Sequence, residues 1–294
     1  MQKTADLSKH SRFQVSAILL KILLLLTTAI AVTAVIGFEP MESGRQVLRG
    51  VGIMGLPIAV FLVAEGYYRT GSRARYAGRL FIGALIAQLP MHFLLILEQA
   101  QNQHLNEDFV NFSDDEKVKF LLKWQELPVL NYLFTLLLAL LFIWLIDVAY
   151  KKFTSYRTNM PVKMIFGALL VLILIIGVGV AALANGIKFL YAPVLAVMLA
   201  FPCVLFRDRR EIQCFLFASI GGLSGVLIGP ENGRAFYAIG CALPALLLRF
   251  YNEKLGYDKE SHPYLKYGFY LVYAALLSTI DIIGMKIFVG KYGL

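Results

Sequence analysis

Reactive side chains are scarce in this sequence. Its 294 residues include four histidines and three cysteines. Cys203, Cys214 and Cys241 show no CxxC or other metal-ligand spacing and read as small buried hydrophobes. Of His10, His92, His104 and His262, only His92 falls inside an apolar run. A Ser-His-Asp, Cys-His or two-histidine metal centre therefore has almost no material to draw on. Walker A, GxGxxG and HExxH runs are absent, and Gly221-Gly222 and Gly225 sit in an apolar stretch where small residues serve close helix packing. Charge is sparse too. Charged residues make up 16% of the chain, against about 25% in soluble globular proteins. What fills the space is apolar: 59% hydrophobic residues and a mean hydropathy of +0.68. So much apolar surface on a soluble fold would exceed the few hundred Å² patches such proteins tolerate. The composition excludes disorder, collagen, a disulfide scaffold and a coiled coil, and specifies a polytopic membrane protein.

Nine apolar runs are long enough to cross a hydrocarbon core as helices: 17–37, 50–68, 79–97, 128–147, 164–184, 189–206, 212–230, 235–250 and 267–287. Only a helix satisfies every backbone polar group in lipid without leaving an edge. The fold class is thus all-α, a single transmembrane bundle over residues 1–294 with an N-terminal arm at 1–16 and one sizeable loop at 98–127. The net charge of +9 lies in the short connections between runs, which speaks for membrane topology and against a nucleic-acid partner. Connections on one side carry eighteen Lys and Arg and those on the other nine. By the positive-inside rule the N-terminus is cytoplasmic and the 98–127 loop outside. Within that loop, Ser113 and Glu116 have the spacing of a capping box for a short amphipathic helix. A solvated loop with aromatic anchors fits the same residues.

Polar residues inside apolar runs are costly and therefore candidates for function. Two groups emerge. Towards the cytoplasmic side stand Glu65, Arg69, Arg73, Arg75 and Arg79. Glu65 and Arg69 are four apart and share a helical face, so they form either an ion pair or, with the other arginines, an anion site. Towards the outer side, Arg49, Gln88, His92, Asn131 and Thr135 fall at similar depth, with Pro90 freeing a backbone carbonyl beside His92. These form either a polar pocket or an interhelical hydrogen-bond cluster. Asp281 in the last run also requires a partner.

Several runs share one order of motifs. They are Leu48-Arg49-Gly50-Val51-Gly52, Leu56-Pro57, FLVAEGYYRT from Phe61 to Thr70, RYAGRLFIGALIAQLP from Arg75 to Pro90 and LNYLFTLLLALL from Leu130 to Leu141. Asn185-Gly186, Tyr251-Asn252 and KYGFYLVY from Lys266 to Tyr273 continue the order. Over about residues 18–280 this resembles the TraX family of bacterial polytopic membrane proteins. The resemblance implies residence in the bacterial plasma membrane and an acetyl-CoA-dependent acyltransferase that modifies a pilin-like or other membrane or secreted peptide, as in conjugation. It also implies an Asp-His pair in the first helix and a Tyr-Pro-x-His pattern in the last. Here those places hold Ala31-Val32 and Tyr273-Ala274-Ala275-Leu276.

An attacking amine must lose a proton, and general-base assistance is worth roughly 10²–10⁴-fold. Neither valine nor leucine has a lone pair to offer. Two readings follow. One is an acyltransferase whose catalytic group has moved, with Glu65 or His92 as the available bases and no metal. The other is a non-catalytic relative that binds a peptide or a partner membrane protein in assembly, export or immunity. A transporter, which favours broken midplane helices in an inverted repeat, fits less well.

Overall fold

The computed structural model describes residues 14–37, 43–104, 130–155, 160–186, 190–256 and 265–292. The expected helix at 113–124 lies outside the described residues, as does the side chain of Asp281. Among the described residues the chain is a bundle of α-helices. They are α1 (Ala17–Gly37), α2 (Ser43–Gly52), α3 (Gly55–Arg69), α4 (Arg73–His104), α5 (Tyr132–Ser155), α6 (Met160–Gly186), α7 (Pro193–Leu205), α8 (Arg210–Ile228), α9 (Arg234–Ala242), α10 (Pro244–Arg249) and α11 (Leu265–Tyr292). With α2–α3 and α9–α10 each taken as one interrupted rod, nine rods stand at the nine apolar runs.

The interruptions have a local cause. Pro57 has no N–H for the Ile53 carbonyl, which instead accepts from Leu56 N at 3.1 Å, so the rod breaks at Ile53–Met54. Helices α9 and α10 part at Leu243, directly before Pro244, which likewise has no N–H to donate. Other departures from the sequence expectation are at helix ends. The third rod begins at Arg73 and continues through residues 98–104, which the sequence reading placed in a loop. The sixth shrinks to 13 residues, because Ala192 is left-handed (φ 44°) and Pro193 is suited to a first helical position. At 1.5 Å per residue α7 spans only about 20 Å.

Helix α3 is the centre. Eleven of its fifteen residues are buried, and it packs against α1, α4, α5 and α7. Phe61 on α3 meets Phe217 of α8 and Tyr251 edge-on, at 6.5 and 5.1 Å between ring centres. Helix α6 is the periphery: it packs only one face, on α5 and α7, and leaves Met164, Ile165, Ile175 and Leu183 mostly exposed. Elsewhere helices touch backbone to backbone. A Cβ on Gly225 of α8 would strike the Tyr237 carbonyl of α9, and one on Gly240 of α9 the Gly50 carbonyl of α2. Small residues permit this approach, and in lipid close packing of this kind is a main force between helices.

The start of α1 is tied to the α10–α11 connection. Val15, Ala17 and Ile18 donate to the carbonyls of Phe250, Lys254 and Leu255 at 3.0, 2.9 and 3.1 Å, and Asn252 N donates back to Val15. Those carbonyls satisfy N–H groups that a helix start leaves open. Residues 15, 68–73, 147–151, 207–213 and 250–255 thus meet at one end of the bundle. Residues 130 and 190, paired in a short parallel bridge, mark the opposite course of the same rods.

Candidate functional site

Polar side chains gather in three places. At the first end, Glu65 and Arg69 realise their four-residue spacing as a salt bridge of 3.0 Å. Glu65 is buried, and Arg69 Nη2 also donates to the Tyr251 hydroxyl at 2.9 Å and the Glu253 carbonyl at 2.6 Å. Arg210 at the start of α8 completes the group: it donates to Gln213 at 2.9 Å and to Glu253 at 3.2 Å, and lies over the rings of Phe61 and Tyr251. Burial, with the nearby Glu65 charge, pushes the Tyr251 phenol up to about 12, so it stays a hydrogen-bond donor and acceptor. Two acids balance two arginines, and the network closes on itself. It locks the α10–α11 connection onto α3.

A second group lies beside it. Asp147 of α5 is 3% exposed. Its Oδ2 accepts from the Tyr67 hydroxyl and Lys151 Nζ, both at 2.8 Å, and from Arg73 at 3.4 Å. Arg73 also lies 4.7 Å above the Tyr67 ring, and Arg207 4.0 Å above the Tyr68 ring. The third group is deeper in the bundle. Gln88 Oε1 of α4 accepts from Asn131 N at 2.9 Å, Asn131 Nδ2 donates to the Ala84 carbonyl at 2.6 Å, and its Oδ1 caps α5 through Leu133 N. Thr135 donates to the Tyr191 carbonyl at 2.9 Å. The Tyr132 hydroxyl is buried without a hydrogen-bond partner among the described residues.

The candidates from the sequence are distributed among these groups. Glu65 and Arg69 meet, and Gln88 meets Asn131. Arg79 stands apart, over the Tyr76 ring at 5.8 Å, and Arg75 is exposed. Arg49 is half-buried on α2, whose neighbours are α1 and α9, so it belongs to a different helix pair from Gln88 and Asn131. His92 is half-buried on α4, two residues beyond Pro90. The sequence reading missed Asp147, Arg207, Arg210 and Glu253. An acid at the edge of the apolar run 128–147 was a usable signal for Asp147.

The positions where a base was implied are apolar, with Val32 buried and Ala31 and Leu276 half-buried. A Cβ on Gly52 would run into Ala31, and Val32 is 5% exposed. Cys203, Cys214 and Cys241 are free and buried, as the sequence suggested. Among the described residues no group of three His, Cys, Asp or Glu side chains could hold a metal ion.

A helical bundle in which, among the described residues, five helical spans are long and apolar enough to cross a membrane, and with its charge gathered at rod ends, is a membrane protein. The family model described as TraX protein matches residues 16–283, and the chain belongs to that family. It is similar to a probable fimbrial assembly protein FimC, serogroup H1, of Dichelobacter nodosus, with 25% identity over 271 residues covering 90% of this chain and 95% of the relative. No solved structure matches it.

Proposed function

We propose that this protein is a membrane-embedded assembly factor for a pilin- or fimbrin-type subunit, acting by binding rather than by acetyl transfer. Family membership and the fimbrial assembly relative support the process. The observation that carries the mechanism is the close apolar contact of Ala31 with Gly52, beside buried Val32. The family resemblance puts a proton acceptor at that place, and the apolar side chains here have no lone pair to offer. Acetyl-CoA therefore has no catalytic partner there. At Glu65 and Arg69, proposed from the sequence as part of an anion site, the guanidinium is held by Glu65, Tyr251 and the Glu253 carbonyl. The rod end that gathers Arg69, Arg73, Arg207 and Arg210 faces the cytoplasm of the bacterial plasma membrane in this proposal, with nine crossings.

The test presents labelled acetyl-CoA and the pilin-type subunit to the purified protein in lipid. An Ala31→Asp, Val32→His, Leu276→His reconstruction runs in parallel. The unmodified protein should form a stable complex with the subunit and transfer no label. Turnover by the unmodified chain overturns the proposal, and His92→Ala and Glu65→Gln then identify the base.

A further inference from the structure

The Asp147 group presents basic side chains to its surroundings and has an apolar track leading to it. One buried carboxylate oxygen serves both Arg73 and Lys151, while Arg207 is held on the adjoining Tyr68 ring. Among the described residues, Arg73, Lys151 and Arg207 thus gather about Asp147 and the Tyr67–Tyr68 pair. Tyr67 and Tyr68 are in edge contact, 5.0 Å between ring centres, so the two stacked arginines belong to one surface. The cationic side chains remain open to their surroundings: those of Arg73 and Lys151 are 48% and 60% exposed, against 4% for Asp147. Helix α4 adds to the positive potential, because its first turn carries Arg73 and Arg75 and no acid, where the helix dipole is itself positive. Such an arrangement favours the approach of an anion.

The anion's identity follows from α5. Leu141, Trp144 and Val148 are exposed large apolar residues at 46%, 43% and 38%. They are spaced three and four apart, and Lys151 follows three further on, so all four share one helix face. An apolar stripe about 10 Å long from Leu141 to Val148 therefore ends at the cations. A soluble phosphate has no use for such a stripe, whereas an acyl chain does. We propose that Arg73, Lys151 and Arg207 hold the phosphate of an anionic phospholipid whose chains lie along Leu141, Trp144 and Val148. Asp147 is the positioning residue that fixes Arg73 and Lys151 at the headgroup.

Trp144 reports on the site directly. The full chain is placed in bilayers of phosphatidylcholine containing a minor fraction of brominated phosphatidylglycerol or, in parallel, of brominated phosphatidylcholine. The Trp144→Phe variant gives the background from Trp124. Brominated phosphatidylglycerol should quench Trp144 well beyond the zwitterionic lipid at equal mole fraction. Arg207→Gln and Lys151→Gln should each reduce that preference about fivefold, the usual worth of one basic residue at an anionic surface. Arg207 serves as the second variant because its removal leaves the Asp147 contacts intact. Equal quenching by the two lipids, or a preference unchanged in both variants, overturns the proposal. Loss of the preference on adding excess inorganic phosphate or CoA assigns the site to a soluble phosphate and overturns the lipid assignment.

Discussion

Replacing Arg69 by alanine removes four hydrogen bonds at once: two to Glu65 at 3.2 and 3.0 Å, one to Tyr251 at 2.9 Å and one to Glu253 at 2.6 Å. The larger effect is on what remains. The Glu65 side chain is 9% exposed and would be left as an unpaired carboxylate. Stripping one partner from a buried pair costs about 3–5 kcal/mol. The Arg69 side chain is 26% exposed, so solvent screening places the cost near the lower bound, at about 3 kcal/mol. Adding Glu65→Gln removes the stranded charge, and the double variant should recover about half of the loss. What it does not recover is the tie to residues 251–253, about 1.5 kcal/mol for hydrogen bonds from a charged donor. The assay pairs unfolding in detergent with thiol labelling of a Lys254→Cys probe, the native cysteines being buried. Arg69→Ala should unfold earlier and label faster at position 254. Stability within about 0.5 kcal/mol of wild type, the range of ordinary surface substitutions, would refute the reasoning.

Other expectations are equally local. Gly225→Ala puts a Cβ against the Tyr237 carbonyl and 2.6 Å from the Ala238 Cα; backbone cannot move aside cheaply, so it should cost about 1–3 kcal/mol. Gly222→Ala meets Ala242 Cβ at an ordinary 3.7 Å and should be near neutral in the same unfolding assay. Asn131→Ala loses the α5 cap and the bond to Ala84 and should cost about 1–2 kcal/mol, read as a lower melting temperature. Because the folded Tyr251 phenol titrates at about 12, above its unfolded value near 10, the proton is held more tightly in the folded state. Its contribution is therefore complete below about pH 10 and is lost as pH rises from there towards 12. Tyr251→Phe should remove that alkaline loss from the stability profile.

The sequence disclosed the rods more readily than the polar groups. Apolar runs mark rods because lipid demands helices, and the Glu65–Arg69 and Gln88–Asn131 contacts were accessible from helical spacing and depth. Prolines shifted the boundaries: Pro57 splits a run that hydropathy shows as continuous, and Pro193 delays the start of α7. Asp147 was hidden for another reason. Its partners Arg73 and Tyr67 are 74 and 80 residues away in the chain, and only the packing of α3 and α4 against α5 brings them together. Arg210 and Glu253 were hidden likewise, since their meeting depends on how the α10–α11 connection folds back over α1.

The central claim, assembly by binding without acetylation, is decided on the pilin-type subunit itself. Cells lacking this protein, cells complemented with the wild-type chain and cells complemented with the Ala31→Asp, Val32→His, Leu276→His chain are compared. Surface fimbriae are counted, and the intact mass of the mature subunit is measured by mass spectrometry. The account predicts that fimbriae are lost in the deletion and restored by the wild-type chain, while the subunit mass stays the same in both. A subunit heavier by one acetyl group only when the wild-type chain is present would contradict it.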